Sequence, residues 1–220
     1  MDCRVGVELM AIQVQGNGGT TQEVDATFRA ARVSLRPAEL IGYYSVSGAS
    51  GALTGVAANG PVFSFRNTGS NLMLVRRVTI GFVVTTAFTA AQGLDYQLFR
   101  ANSFTASDTG GTALFTAGQN KHRNAFTNIT SAPDIRISST GALTAGTRTL
   151  ETIAMGNAGG AAQALGAATP SDDLIGHVPG DYPLVLAQNE GFIVANGIAM
   201  GAAGVIRLRV SVEYAEAAAY

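Results

Sequence analysis

Between Ile206 and Tyr214 every second residue is apolar: Ile206, Leu208, Val210, Val212 and Tyr214 alternate with Arg207, Arg209, Ser211 and Glu213. Successive side chains leave a strand on opposite faces, so this period of two specifies a strand with one dry and one wet face. The same period runs through Leu72–Thr85. There Leu74, Val78, Ile80, Phe82 and Val84 share a face with Arg76, while Met73, Val75, Arg77, Thr79 and Val83 occupy the other. Both faces are largely apolar, which predicts a central strand. Shorter strands are predicted at Leu40–Val46, Pro61–Arg66, Asp95–Arg100, Asp134–Ser138, Leu150–Met155, Tyr182–Leu186 and Glu190–Ala195, each bounded by Gly, Asn, Pro or Ser. Helix signals are weak. The alanine-rich stretch from Gly156 is broken by Gly159, Gly160 and Gly166, each costing a helix about 1 kcal/mol. Gly156–Asp181 therefore reads as one long low-complexity loop with at most a short helical turn.

Two regions separate. Residues 1–37 are polar and extended in character: the turn Gly16-Asn17-Gly18-Gly19 precedes a strand-like stretch, Thr27–Leu35, with Phe28 its aromatic and Arg29, Arg32 and Arg36 spaced along it. They read as an N-terminal arm. Residues 38–220 carry roughly eight to ten strands with turn signals at the spacing of a sandwich or barrel. The expected fold is all-β: a jelly-roll-like antiparallel β-sandwich behind an extended arm, with an immunoglobulin-like strand order as the alternative and the strand count alone favouring the jelly roll. No signal peptide is read at the N-terminus, since Asp2, Arg4 and Glu8 interrupt it, and Met10 reads as an alternative start that would make the first nine residues dispensable. The uncharged run Gly191–Ile206 is too short and too rich in Gly and Asn for a membrane span, so a soluble protein with no membrane partner is expected.

Charge narrows the function classes. Charged residues are 13% of the 220-residue chain and the net charge is −1, against roughly a quarter charged in an average soluble domain. The balance excludes bulk attraction to nucleic acid. Scarce charge also leaves a free monomer thinly coated, so part of the uncharged surface is expected to be covered by partners.

Catalytic chemistry finds little to use. There are two histidines, His122 and His177. His122 sits in the polar loop Gln119–Asn124 and reads as a solvated loop residue; neither a Gly-x-Ser-x-Gly elbow nor a His-Glu-x-x-His motif is present. Asp172, Asp173, His177 and Asp181 fall within ten residues and are the metal candidates, although their spacing is not that of an EF-hand loop and a solvated or salt-bridged patch is the simpler reading. A carboxylate pair for glycoside cleavage would want aromatic platforms, and the chain has no tryptophan and six tyrosines. No catalytic residue and no cofactor are assigned. Arg76-Arg77 is the pair that stands out, because on a central strand one guanidinium must point inward or toward another subunit. A carboxylate partner is expected, with Glu190 and Asp95 the candidates.

Three stretches, taken together, carry a resemblance: Ile12–Asn17 with Glu23–Ala30 and Arg36-Pro37; Pro61–Arg66; and Pro183–Val194 with Val210–Glu216. They span nearly the whole chain, which resembles a family of virion structural proteins of tailed bacteriophages and prophages. The resemblance implies a capsid-associated, decoration-like component without enzymatic activity, found on the virion's capsid surface and in the host cytoplasm during assembly. Its implied partners are further copies of itself, as a homotrimer at local three-fold positions, and the major capsid protein or other virion subunits. Phe28, Arg29, Arg32, Arg36, Arg76 and Arg77 are the expected assembly contacts. The alternative is a receptor- or glycan-binding module of a head or tail fibre, presenting the loops Ser47–Gly60 and Gly156–Asp181; a polysaccharide hydrolase is a third, weaker one.

Overall fold

The computed structural model describes residues 40–115, 120–122, 128–130, 132–162, 164–169, 171–176 and 183–218, and among these described residues all regular structure is strand. The expected arm, with Phe28, Arg29, Arg32 and Arg36, lies outside those residues, as do His177 and Asp181. In chain order the strands are β1 (Leu40–Ala49), β2 (Pro61–Arg66), β3 (Leu72–Thr86), β4 (Gln92–Phe104), β5 (Thr112–Ala113), β6 (Asp134–Ile137), β7 (Arg148–Leu150), β8 (Gly156–Ala162), β9 (Asp172–Ile175), β10 (Leu184–Leu186), β11 (Gly191–Asn196) and β12 (Val205–Ala217). They form two antiparallel sheets, so the molecule is the all-β sandwich the alternation predicts. The first sheet runs β1-β12-β3-β10, with β9 on a further stretch of β3; the second runs β5-β6-β2-β11-β4-β7, with β8 beside a further stretch of β4. The chain crosses between sheets at each step from β1 to β4, and again from β10 through β11 to β12.

The inner faces meet in one core. Tyr44, Val78, Ile80, Phe82, Leu208, Val210, Val212 and Tyr214 from the first sheet pack against Phe63, Phe65, Leu98, Ile135, Phe192 and Val194 from the second. An aromatic seam joins them: Phe65 stacks on Phe192 at 5.3 Å between ring centroids and meets Tyr214 edge-on at 5.3 Å. Pairs of this geometry add about 0.5–1.5 kcal/mol to the stabilisation from burial alone.

The long central strand departs from strict alternation. Glu213 lies opposite Arg77 and Tyr214 opposite Val75, so Arg76 is an extra residue, a β-bulge. Its effect is to change parity. Before the bulge the odd-numbered Met73 and Val75 face the core; after it the even-numbered Val78, Ile80, Phe82 and Val84 do. Leu74, expected to share a face with Val78 and Ile80, instead joins Ala215 and Ala217 in a separate buried cluster on the outer face. A one-residue slip moves every following side chain to the other face, and here that slip keeps both arginines out of the core.

The expected loop Gly156–Asp181 is a second correction. Its start is β8, paired with β4 from Gly156 opposite Leu98 to Ala162 opposite Gln92, and β9 within it pairs with β3. Glycine and alanine hide the strand from propensity, but close packing demands them. A side chain on Gly156 would collide with the Leu174 carbonyl, and a Cβ on Gly160 would lie 2.6 Å from the Thr169 methyl. The strand expected over Leu150–Met155 is displaced: β7 ends at Leu150 and β8 begins at Gly156, with Ile153 and Met155 exposed between them.

Candidate assembly face

The outer face of the first sheet gathers the two arginines with groups far away in sequence. Arg77 Nε donates to Asp173 Oδ1 at 2.9 Å, joining β3 to β9. Both side chains are well exposed, 46% and 40%, and an ion pair in that setting is a weak contributor to stability. Its hydrogen bond with Asp173 raises the Arg77 pKa still further, so the guanidinium is charged at any working pH. The Arg76 guanidinium sits over the Tyr43 ring, 5.7 Å from its centroid. Tyr43 Oη in turn donates to Glu213 Oε2 at 2.7 Å, across the β1–β12 pair.

Tyr43 is the hub of this arrangement. Besides Arg76 and Glu213 it meets the His122 ring at 4.4 Å between centroids, and it packs against the buried Leu74–Ala215–Ala217 cluster. The segment around His122 is tied to the edge of β1: Ser45 N donates to the Asn120 carbonyl at 2.9 Å and His122 N to the Tyr43 carbonyl at 3.0 Å. Burial, the hydrogen bond to Glu213 and that residue's charge push the Tyr43 phenol up to about 12, against the lowering influence of Arg76 and Arg77. The phenol is a proton donor throughout the physiological range. What results is a fixed aromatic and charged strip on an otherwise small-residue sheet, with Arg207 and Arg209 exposed further along β12.

The expected partners of the arginines lie elsewhere. Glu190 Oε1 is 3.4 Å from Arg100 Nη2, and its Oε2 accepts from Ala187 N at 2.8 Å; Asp95 Oδ2 accepts from Gln97 Nε2 at 2.9 Å. The physical reason is the bulge: with both guanidinium groups on the outer face, no buried carboxylate is needed. Of the metal candidates, Asp173 is engaged by Arg77 and Asp172 is exposed beside it on β9. Among the described residues no group of three or more His, Cys, Asp or Glu side chains is placed to hold a metal ion.

Two polar anchors escaped the sequence reading. Asp108 and Arg148, both buried, form an ion pair, and Gly146 N also donates to Asp108 Oδ1 at 2.7 Å. Burial lowers the Arg148 pKa, but the adjacent carboxylate keeps the pair together. It ties the segment after β4 to the start of β7. Glu216, fully buried near the end of β12, accepts from Thr130 N at 3.1 Å, Thr130 Oγ1 at 2.6 Å and Asn71 Nδ2 at 2.8 Å. Its only sequence signal was its place two residues after Tyr214, in phase with the core residues of β12.

At one end of the sandwich the loops after β3 and β11 enclose an open hollow of about 490 Å³. Phe88, Ala90, Gln92, Ile198 and Ala202 line it, with no titratable side chain among its residues. Gln92 spans the two loops, donating to the Ala199 carbonyl at 3.0 Å and accepting from Gly201 N at 2.8 Å. Its amide is spent on holding the loops, and the Thr89 hydroxyl in the lining has no acid or base beside it there.

Comparison with protein-family models, curated proteins and solved structures finds no match to this chain. The functional reading therefore rests on the residues and their geometry.

Proposed function

We propose that the chain is a non-enzymatic structural subunit of a tailed-bacteriophage virion, a capsid decoration or cement protein that stabilises the head by binding across neighbouring shell subunits. The observation that carries this reading is the strand order. The orders β1-β12-β3-β9/β10 in the first sheet and β2-β11-β4-β7/β8 in the second support a jelly-roll reading with four strands to each half, an architecture that viral capsid domains use. The short β5 and β6 extend the second half at its edge. The low charge of the chain and the fixed strip around Tyr43, Arg76 and Arg77 support a subunit that works by being covered.

In this reading the protein forms a homotrimer. Each arm (residues 1–37) lies across a neighbouring subunit or the major capsid protein and adds main-chain hydrogen bonds by strand addition. Several weak contacts made at once supply avidity without one tight site. The fibre-module alternative drew on a free loop at Gly156–Asp181. It loses that support where β8 and β9 are built into the two sheets.

The test is rebinding. Purified chain is added to heads that lack it, and occupancy is counted per particle by densitometry. The reading expects saturable binding that falls at least tenfold when residues 1–37 are deleted. Failure of the full chain to bind heads would overturn it, and undiminished binding by the truncated chain would remove the arm's role.

A further inference from the structure

Strands at a sheet edge present a row of main-chain donors and acceptors that natural proteins blunt with lysine, proline, bulges or covering segments. β1 is treated this way, its edge tied to residues 120–122. β8 is not. It reads Gly-Asn-Ala-Gly-Gly-Ala-Ala, with no proline, no charge and an uninterrupted register against β4. Its main chain bonds to β4 on one side, and no backbone partner on the other side is found among the described residues. Asn157, Gly159 and Ala161 are exposed and small, so their own side chains do not obstruct an approaching chain. At its N-terminal end stand two exposed apolar residues, Ile153 at 79% and Met155 at 47%. Asp172 lines the same crevice as Ala158 and Gly159, placing an exposed carboxylate beside the strand.

We infer that this edge receives residues Thr27–Leu35 of a second copy of the chain as an added strand, a docking that rests on the arm-exchange reading above and gives it an address. Charge selects the occupant. Self-pairing of two β8 edges would bring two copies of Asp172 toward each other, whereas Thr27–Arg36 carries Arg29, Arg32 and Arg36 and no acid. Its Phe28, Val33 and Leu35 supply apolar side chains for Ile153 and Met155, and its strand-like composition suits the added position. Reach selects a second copy over the same one. Five residue steps join Leu35 to Leu40, about 17 Å when extended. β8 packs against β9, three strand intervals from β1, so a strand added outside β8 lies four intervals away, about 19 Å, and across a sheet spacing of about 10 Å, about 22 Å in all. Donation in one direction around a ring closes without free edges, as a cyclic trimer requires.

The experiment uses the full-length chain with Cys3→Ser. One tagged copy carries Asn157→Cys; a differently tagged copy carries Ala30→Cys or, separately, Ala31→Cys, so that both faces of an extended segment are sampled. Co-expressed copies should give a disulfide-linked species bearing both tags. A second variant, Asn157→Lys with Ala161→Lys, should weaken self-association at least tenfold in sedimentation velocity while its melting temperature stays within a few degrees. A disulfide formed only within one chain when both cysteines are placed in the same copy, no mixed species with either arm cysteine, or unchanged self-association of the lysine variant would each overturn the inference. Binding of the wild-type chain to heads is scored separately, so the decoration reading can stand when this docking fails.

Discussion

Deleting a residue from the middle of a central strand normally destroys a sandwich; here one deletion should be nearly silent. Without Arg76, Val75 and Arg77 become consecutive partners of Tyr214 and Glu213, and every side chain of β3 keeps its face. The contact with the Tyr43 ring is lost, about 0.5–1 kcal/mol for such a pair near the surface, and an irregularity is removed. Deleting Thr79, three residues on, has the opposite outcome. With the bulge kept, Ile80, Phe82 and Val84 turn from the core to the outer face. All three are at most 4% exposed, and at about 1.5–3 kcal/mol per buried side chain the cost is about 4.5–9 kcal/mol. Straightening the strand instead drives Arg77 into the place of Val78, an unpaired charge in the core. A domain of this kind has about 5–15 kcal/mol in total. Urea unfolding followed by far-UV circular dichroism is the assay, with the slope checked for constancy. The Arg76 deletion should lie within about 1 kcal/mol of the parent, and the Thr79 deletion should be unfolded or close to it. Equal losses for the two would refute the parity argument.

Breaking the buried Asp108–Arg148 pair by Asp108→Asn should cost about 3–5 kcal/mol, and removing both charges should recover part of it, as a denaturation double-mutant cycle would show. Alkaline stability should fall from about pH 10: Tyr43 and Tyr44 are pushed up to about 12, and Tyr96 and Tyr214 higher still, first by burial. An unfolded chain loses these protons near pH 10 while the folded one keeps them, so stability is full below that pH and lost as pH rises through the folded values; ultraviolet titration should show these phenols ionising late. Phe192→Ala, which empties the aromatic seam between Phe63 and Phe65, should cost about 3–5 kcal/mol by chemical denaturation.

How much of this was readable in the chain differs by element. β12 was plain, because polar residues mark its wet face at every second position from Arg207 to Glu213. β3 was legible as a central strand, but its facing was not. Both of its faces are apolar, so nothing in the pattern marks where parity changes, and Leu74 was placed with the wrong neighbours. β8 was invisible to propensity, since glycine and alanine are chosen there by the closeness of Leu174 and Thr169 rather than by any preference for strand. At the candidate face, Arg76 and Arg77 announced themselves as charges inside an apolar run. Their surroundings did not: Asp173 is 96 residues from Arg77 and Glu213 is 170 from Tyr43, and pairing at such separations is set by strand order. Tyr43 and Glu213 do occupy wet-face positions of their alternating strands, which is the one local signal that they belong together.

Cryo-electron microscopy of particles carrying this protein, with density for residues 38–220 located on the reconstruction, tests the central claim most directly. The account predicts regular trimeric protrusions on the outer surface of the head, each touching more than one shell subunit. Density confined to the tail or its fibres, or no density on the particle, would contradict it.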